Sequence, residues 1–174
     1  GNNKRNNVSL PMDYQSSLGT LDLLAGIRYN PEKWQWALAV QVPLQQNDNA
    51  FFSGLYDTLS PLHEIQTTNA FVRKADIMLH VSRTIAMSEK VTITPGLLPI
   101  YHVGEDEYTD IDGIQYSIAG SDGLTLNGTI FVDVKMGATG NLEFDLGFPF
   151  IVRDARPDGL TRGFVFGAGY SYAF

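Results

Sequence analysis

The sequence predicts an all-β fold, an antiparallel up-and-down transmembrane β-barrel of about eight strands in one domain. Three observations carry this. Successive segments alternate between large apolar residues and polar or small ones, the pattern of strands with two unlike faces. Short and long connections between those segments follow one another strictly, as turns and loops do in bacterial barrels. Finally, 44% of the 174 residues are hydrophobic, yet no run approaches the roughly 20 apolar residues of a spanning helix.

The last segments are the clearest. Leu142, Phe144, Leu146, Phe148, Phe150 and Val152 alternate with Glu143, Asp145, Gly147 and Pro149. After a turn-rich break, Phe164, Phe166, Ala168, Tyr170, Tyr172 and Phe174 oppose Val165, Gly167, Gly169, Ser171 and Ala173. A water-soluble sandwich or lipocalin-like barrel would alternate in the same way. Aromatics gathered at strand ends, with charge and glycine on the other face, favour lipid.

From the start, residues 1–7 are polar and are expected to be loose. Val8–Gln15 alternates and supplies the eighth strand, which puts both termini on the short-turn side; Pro11 marks it as an edge or bulge. Leu21, Leu23, Ala25, Ile27 and Tyr29 face away from Asp22, Leu24, Gly26 and Arg28, and Asn30-Pro31-Glu32-Lys33 is a tight turn with Pro at its second position. In the next strand Trp34, Trp36, Leu38, Val40, Val42 and Leu44 form one face, with paired tryptophans where an interfacial belt is expected. Residues 46–69 read as a long irregular loop whose apolar members (Phe51, Phe52, Leu55, Tyr56, Leu59) suit a lid. The chain returns to about Ile85, turns at AMSEK, and runs out through VTITPGLLPIYHV, with His102 facing in. An acidic loop then extends to Gly123 and is expected to be a solvated rim. LTLNGTIFVDV and the turn KMGATG lead to the last two strands.

Composition excludes several classes. A net charge of −7 argues against nucleic acid, which needs a basic stripe. Cysteine is absent, so thiol chemistry and disulfides are excluded. Mean hydropathy is near neutral at −0.08, which a barrel tolerates because its apolar residues are spread over alternating segments. The polar start resembles a mature terminus, and a leader is expected on the precursor of an exported barrel.

The inward positions carry Asp22, Arg28, Lys74, Asp76, His80, His102, Asp133, Lys135, Glu143, Asp145 and Arg153. Unpaired charges away from water would be very costly, so these pair with one another or line a wet channel. An eight-stranded interior is just wide enough for side chains, which favours a plug of salt bridges; a wider barrel makes them a conduit. Lys135 and Glu143 are a plausible rim pair across KMGATG. His80 and Ser82, two apart on one face near Asp76, raise the idea of a hydrolase. Same-face neighbours on a strand are about 6–7 Å apart, too long for direct contact, so lumen residues are the better reading. His63, His80 and His102 lack ligand spacing, and the acidic loop lacks a calcium-loop pattern. No metal, cofactor or catalytic residue is expected.

The chain resembles a family of outer-membrane transporters known as the MetA-pathway of phenol degradation group. The resemblance rests on GTLDLLAGIRY from Gly19, LLPIYHVGEDEY from Leu97, GSDGLTLN from Gly120 and FPFIVRDARPDGLTRGF from Phe148. The ending on Tyr170, Tyr172 and Phe174 is similar to the C-terminal signature of Gram-negative outer-membrane barrels. The resemblance implies a porin-like barrel in that membrane, contacting lipid and passing small apolar or aromatic solutes without covalent chemistry. Family members are commonly longer, so the chain reads as a shortened relative or as the C-terminal part of a larger barrel. The alternatives are a closed structural or adhesion barrel acting through its loops, and an outer-membrane lipid hydrolase.

Overall fold

The structure, a computed structural model, describes residues 4–5, 8–158 and 163–174. It is all-β. Seven long strands form one curled antiparallel sheet, each paired with its neighbour in sequence. They are β1 (Leu21–Tyr29), β2 (Trp34–Gln45), β3 (Asp76–Arg83), β4 (Val91–His102), β5 (Gly123–Met136), β6 (Gly140–Ile151) and β7 (Val165–Tyr172). The two-residue strand Ile85–Ala86 adds to β4 beyond the end of β3.

The alternation sets the register. On one face Ile27 lies opposite Leu38, which lies opposite Leu79, and Val132 lies opposite Phe144. A shift of one residue would carry every such side chain to the other face. Burial follows the same period: along β2, Trp34, Trp36, Leu38, Val40 and Val42 are exposed while Gln35, Ala37, Ala39 and Gln41 are half-buried. Along β6 the order reverses: Glu143 and Asp145 are exposed, and Leu142, Phe144 and Leu146 are half-buried.

Two features of the predicted barrel are corrected. The sheet is a half-barrel: its outer strands are β1 and β7, which are not paired with each other. And Val8–Gln15 is not a long strand. Val8–Ser9 makes a two-residue ladder with Lys4–Arg5, and Met12–Tyr14 is a 3₁₀ turn. Pro11 explains this, since it has no N–H to give a ladder. The expectation of loose residues at 1–7 otherwise lies outside the described residues.

The segment before β1 also sits at the other end of the sheet from the one expected. Asn49 Nδ2 donates to Leu10 O at 3.0 Å and Asn47 Nδ2 to Leu18 O at 3.1 Å, tying it to the first long loop. The turns at residues 30–33, 87–90 and 137–139 share one end, and the connections 46–75, 103–122 and 152–158 the other. The first turn closes from Trp34 N–H to Pro31 O, with Glu32 at φ +47°, so Pro31 occupies its first position rather than its second.

The long connections are not loose. Val72 and Glu107 exchange two backbone hydrogen bonds, Ala155 N–H donates to Gly120 O, and Thr109 N–H to Asn69 O. The acidic connection contains a hairpin, Glu107–Thr109 with Gln115–Ser117, on which Tyr108 and Tyr116 stack at 5.9 Å. The buried side chains of Met12, Phe51, Phe71 and Ile118 all lie in this layer or the N-terminal segment. None is on a strand of the main sheet.

Candidate functional site

Where the loop layer meets the ends of β3 and β4, buried ionisable groups form a continuous network. Asp76 opens β3 and His102 closes β4, and the ladder sets them opposite each other. His102 Nδ1 lies 2.6 Å from Asp76 Oδ1, and Nε2 lies 2.8 Å from Asp106 Oδ1. The ring is 1% exposed. Serving both carboxylates takes an N–H on each nitrogen, which is the imidazolium. Arg73 pairs with the other Asp76 oxygen, and its Nε is 3.7 Å from Asp158 Oδ2. Arg153 donates to Asp158 at 3.0 Å and to Ser121 O at 2.5 Å. Asp106 Oδ1 also accepts from Lys74 N–H at 2.9 Å, and Asp106 N–H donates to Ser121 Oγ at 2.7 Å. These side chains are largely buried, so each charge depends on its partners.

Against this network lies a cavity of about 430 Å³ on the polar face. Arg73, Arg153 and Arg156 line its loop side with Asp76 and Asp158, while Leu98, Ile100 and Val152 form an apolar wall. Arg156 makes no ion pair among the described residues. The Nε and Nη1 atoms of buried Arg73 have no hydrogen-bond partner.

The expected lumen residues thus fall into separate groups. Asp76, His102 and Arg153 come together in the buried network. Arg28, His80 and Asp133 line a second cavity of about 440 Å³ further along the polar face. Arg28 donates to Gln35 Oε1 at 2.6 Å, and His80 packs edge-on against Phe131 with centroids 6.5 Å apart. Asp133 and Lys135 border a third, near the turn end. Glu143 accepts from Asn141 Nδ2 at 3.0 Å, and Asp145 leans over Gly167 across the ladder. The proposed Lys135–Glu143 pair is not among the ion pairs of the described residues: the register puts Asp133 opposite Glu143 and Asn141 opposite Lys135. Lys74 is in the loop layer and pairs with Glu107 at 2.9 Å. Asp106, expected in a solvated rim, is fully buried.

His80 and Ser82 do not form a nucleophile–base pair. His80 Nε2 contacts Thr129 Oγ1 at 3.2 Å, passing over Gly96, whereas buried Ser82 Oγ has no hydrogen-bond partner. No group of metal-binding side chains occurs among the described residues.

Arg73, Asp106, Ser121, Arg156 and Asp158 were not singled out from the sequence as site residues. Asp106 was visible only as one member of an acidic run, and loops carry no periodicity from which burial can be read.

The other face of the sheet is apolar and exposed. Tyr29, Trp34, Trp36, Tyr170 and Tyr172 gather at its turn end, and Tyr101, Phe150 and Phe164 toward the loop end. Trp34 and Trp36 have centroids 6.2 Å apart, and the Arg83 guanidinium sits 5.5 Å over the Trp34 ring. Comparison with known protein families, with curated proteins and with solved structures finds no match to this chain.

Proposed function

We propose that the chain is the wall of an outer-membrane β-barrel through which small molecules pass along the polar face. The observation that carries this reading is the missing strand core: apolar side chains of the sheet stand exposed on one face, and those fully buried belong to the loops. In water such a face would be a large unpartnered apolar patch; in a bilayer it is the lipid contact. Aromatic side chains at both ends of that face support the same reading, as interfacial belts. The polar face, with Arg28, His80 and Asp133 lining a cavity and Asp145 over Gly167, would act by charge and shape rather than by covalent chemistry.

A second reading, a structural or adhesion barrel acting through its loops, is favoured by one observation. The loop layer has its own core around Phe51 and Phe71, both 0% exposed. Planar-bilayer recording of the detergent-folded chain separates the two. Stable, reproducible conductance steps are expected for a passage. Silence from a chain shown to be folded and inserted would sink that reading and leave the loops as the functional part.

A further inference from the structure

The cavity beneath the loop layer combines two unlike surfaces. Its apolar wall, including Leu98 and Ile100, suits a hydrocarbon chain or ring. Its opposite side presents three guanidinium groups, Arg73, Arg153 and Arg156, against two carboxylates, Asp76 and Asp158. The remaining charges of the network, protonated His102 and Asp106, cancel. Arg153 is committed to Asp158 and Ser121 O. Arg156 lacks an ion pair, and Arg73 has buried N–H groups without acceptors. A guanidinium fork matches a carboxylate with two parallel hydrogen bonds. A volume of about 430 Å³ lies within the range of small-molecule sites.

We infer that this cavity is a binding site for a small amphipathic monocarboxylate, its carboxylate held by Arg156 and its apolar part against Leu98 and Ile100. The inference rests on the membrane-barrel reading only in that the site would stand at the loop-end mouth of the passage.

The test is calorimetric titration of the full chain, held in lipid nanodiscs, with octanoate and with its neutral isostere octanamide. Octanoate is expected to bind at least about tenfold more tightly, the size of effect that one charge-assisted hydrogen bond supplies. Arg156→Gln should abolish that preference while leaving octanamide binding unchanged. This residue is half-buried and outside the ion-pair network, so the variant does not depend on refolding a buried charge. Equal affinity for the two probes, no octanoate binding by folded protein, or an undiminished preference in Arg156→Gln would each overturn the site. Bilayer conductance on the same preparation keeps the readings apart: conduction without octanoate binding removes the site alone, and octanoate binding without conduction removes the passage alone.

Discussion

His102 shows what a single side chain carries here. Its two nitrogens bridge the buried carboxylates of Asp76 and Asp106. His102→Leu removes the shared donor and leaves two carboxylates facing an apolar side chain. Breaking a buried ion pair from one side costs about 3–5 kcal/mol, so a loss of about 3 kcal/mol is expected, measured as a lowered urea midpoint of the detergent-folded chain. A change below about 0.5 kcal/mol, the usual size for a surface substitution, would mean the network does not hold. Parity along Val91–His102 was enough to point this residue inward. Its partner Asp106, four positions on, was not legible, because it lies in a connection without period. Gly96 is similar: alternation placed it on the polar face, and only the fold shows why it is glycine. A Cβ there would come within 2.9 Å of His80 Nε2 and 2.7 Å of Thr129 Oγ1.

At the scale of one element, β2 makes the clearest claim. Val40 stands exposed on the apolar face, and its neighbour Gln41 on the polar face donates to Asp22 at 2.5 Å. If the apolar face meets lipid, an arginine at Val40 costs about 2–4 kcal/mol near the bilayer midplane. An arginine at Gln41 gains a carboxylate partner in Asp22. Folding into liposomes should therefore fail or weaken strongly for Val40→Arg and proceed for Gln41→Arg, read from the fraction resisting protease. Equal folding of both would remove lipid from the account of this face. The strand itself was legible from end to end, because neighbouring residues alternate so sharply. The Val8–Gln15 segment shows the limit: the same alternation is present there, and a proline without a backbone donor decides against a long strand.

For the whole molecule the open edges matter most. β1 starts at the loop end, where Leu21 lies opposite Gln45, and finishes at the turn end; β7 runs the same way, from Val165 to Tyr172 opposite Gly140. Joining them would make a parallel ladder in an otherwise antiparallel sheet, so antiparallel closure takes an odd number of additional strands between them. The chain contains no cysteine, so a pair can be introduced cleanly. Ala25→Cys on β1 with Ala168→Cys on β7 is expected to give no intrachain disulfide on oxidation of the folded chain, since bridging needs Cα atoms within about 7 Å. An intrachain bridge, detected by its faster gel migration, would show that the two edges meet. Unpaired edges also invite pairing with other chains, and reversible association through them would appear as bands between molecules in the same experiment.

By itself, the sequence determined the all-β class, the faces of the long strands and the order of short turns and long loops. Each of these is a local consequence of alternation and of turn chemistry, repeated seven times along the sheet. Tertiary structure alone decided that the sheet stays open, that the N-terminal segment joins the loops, and that Arg73, Asp76, His102, Asp106, Arg153 and Asp158 converge in one buried network. Closure depends on strand direction at two distant edges, and the network on contacts between loops, neither of which leaves a periodic trace in the chain.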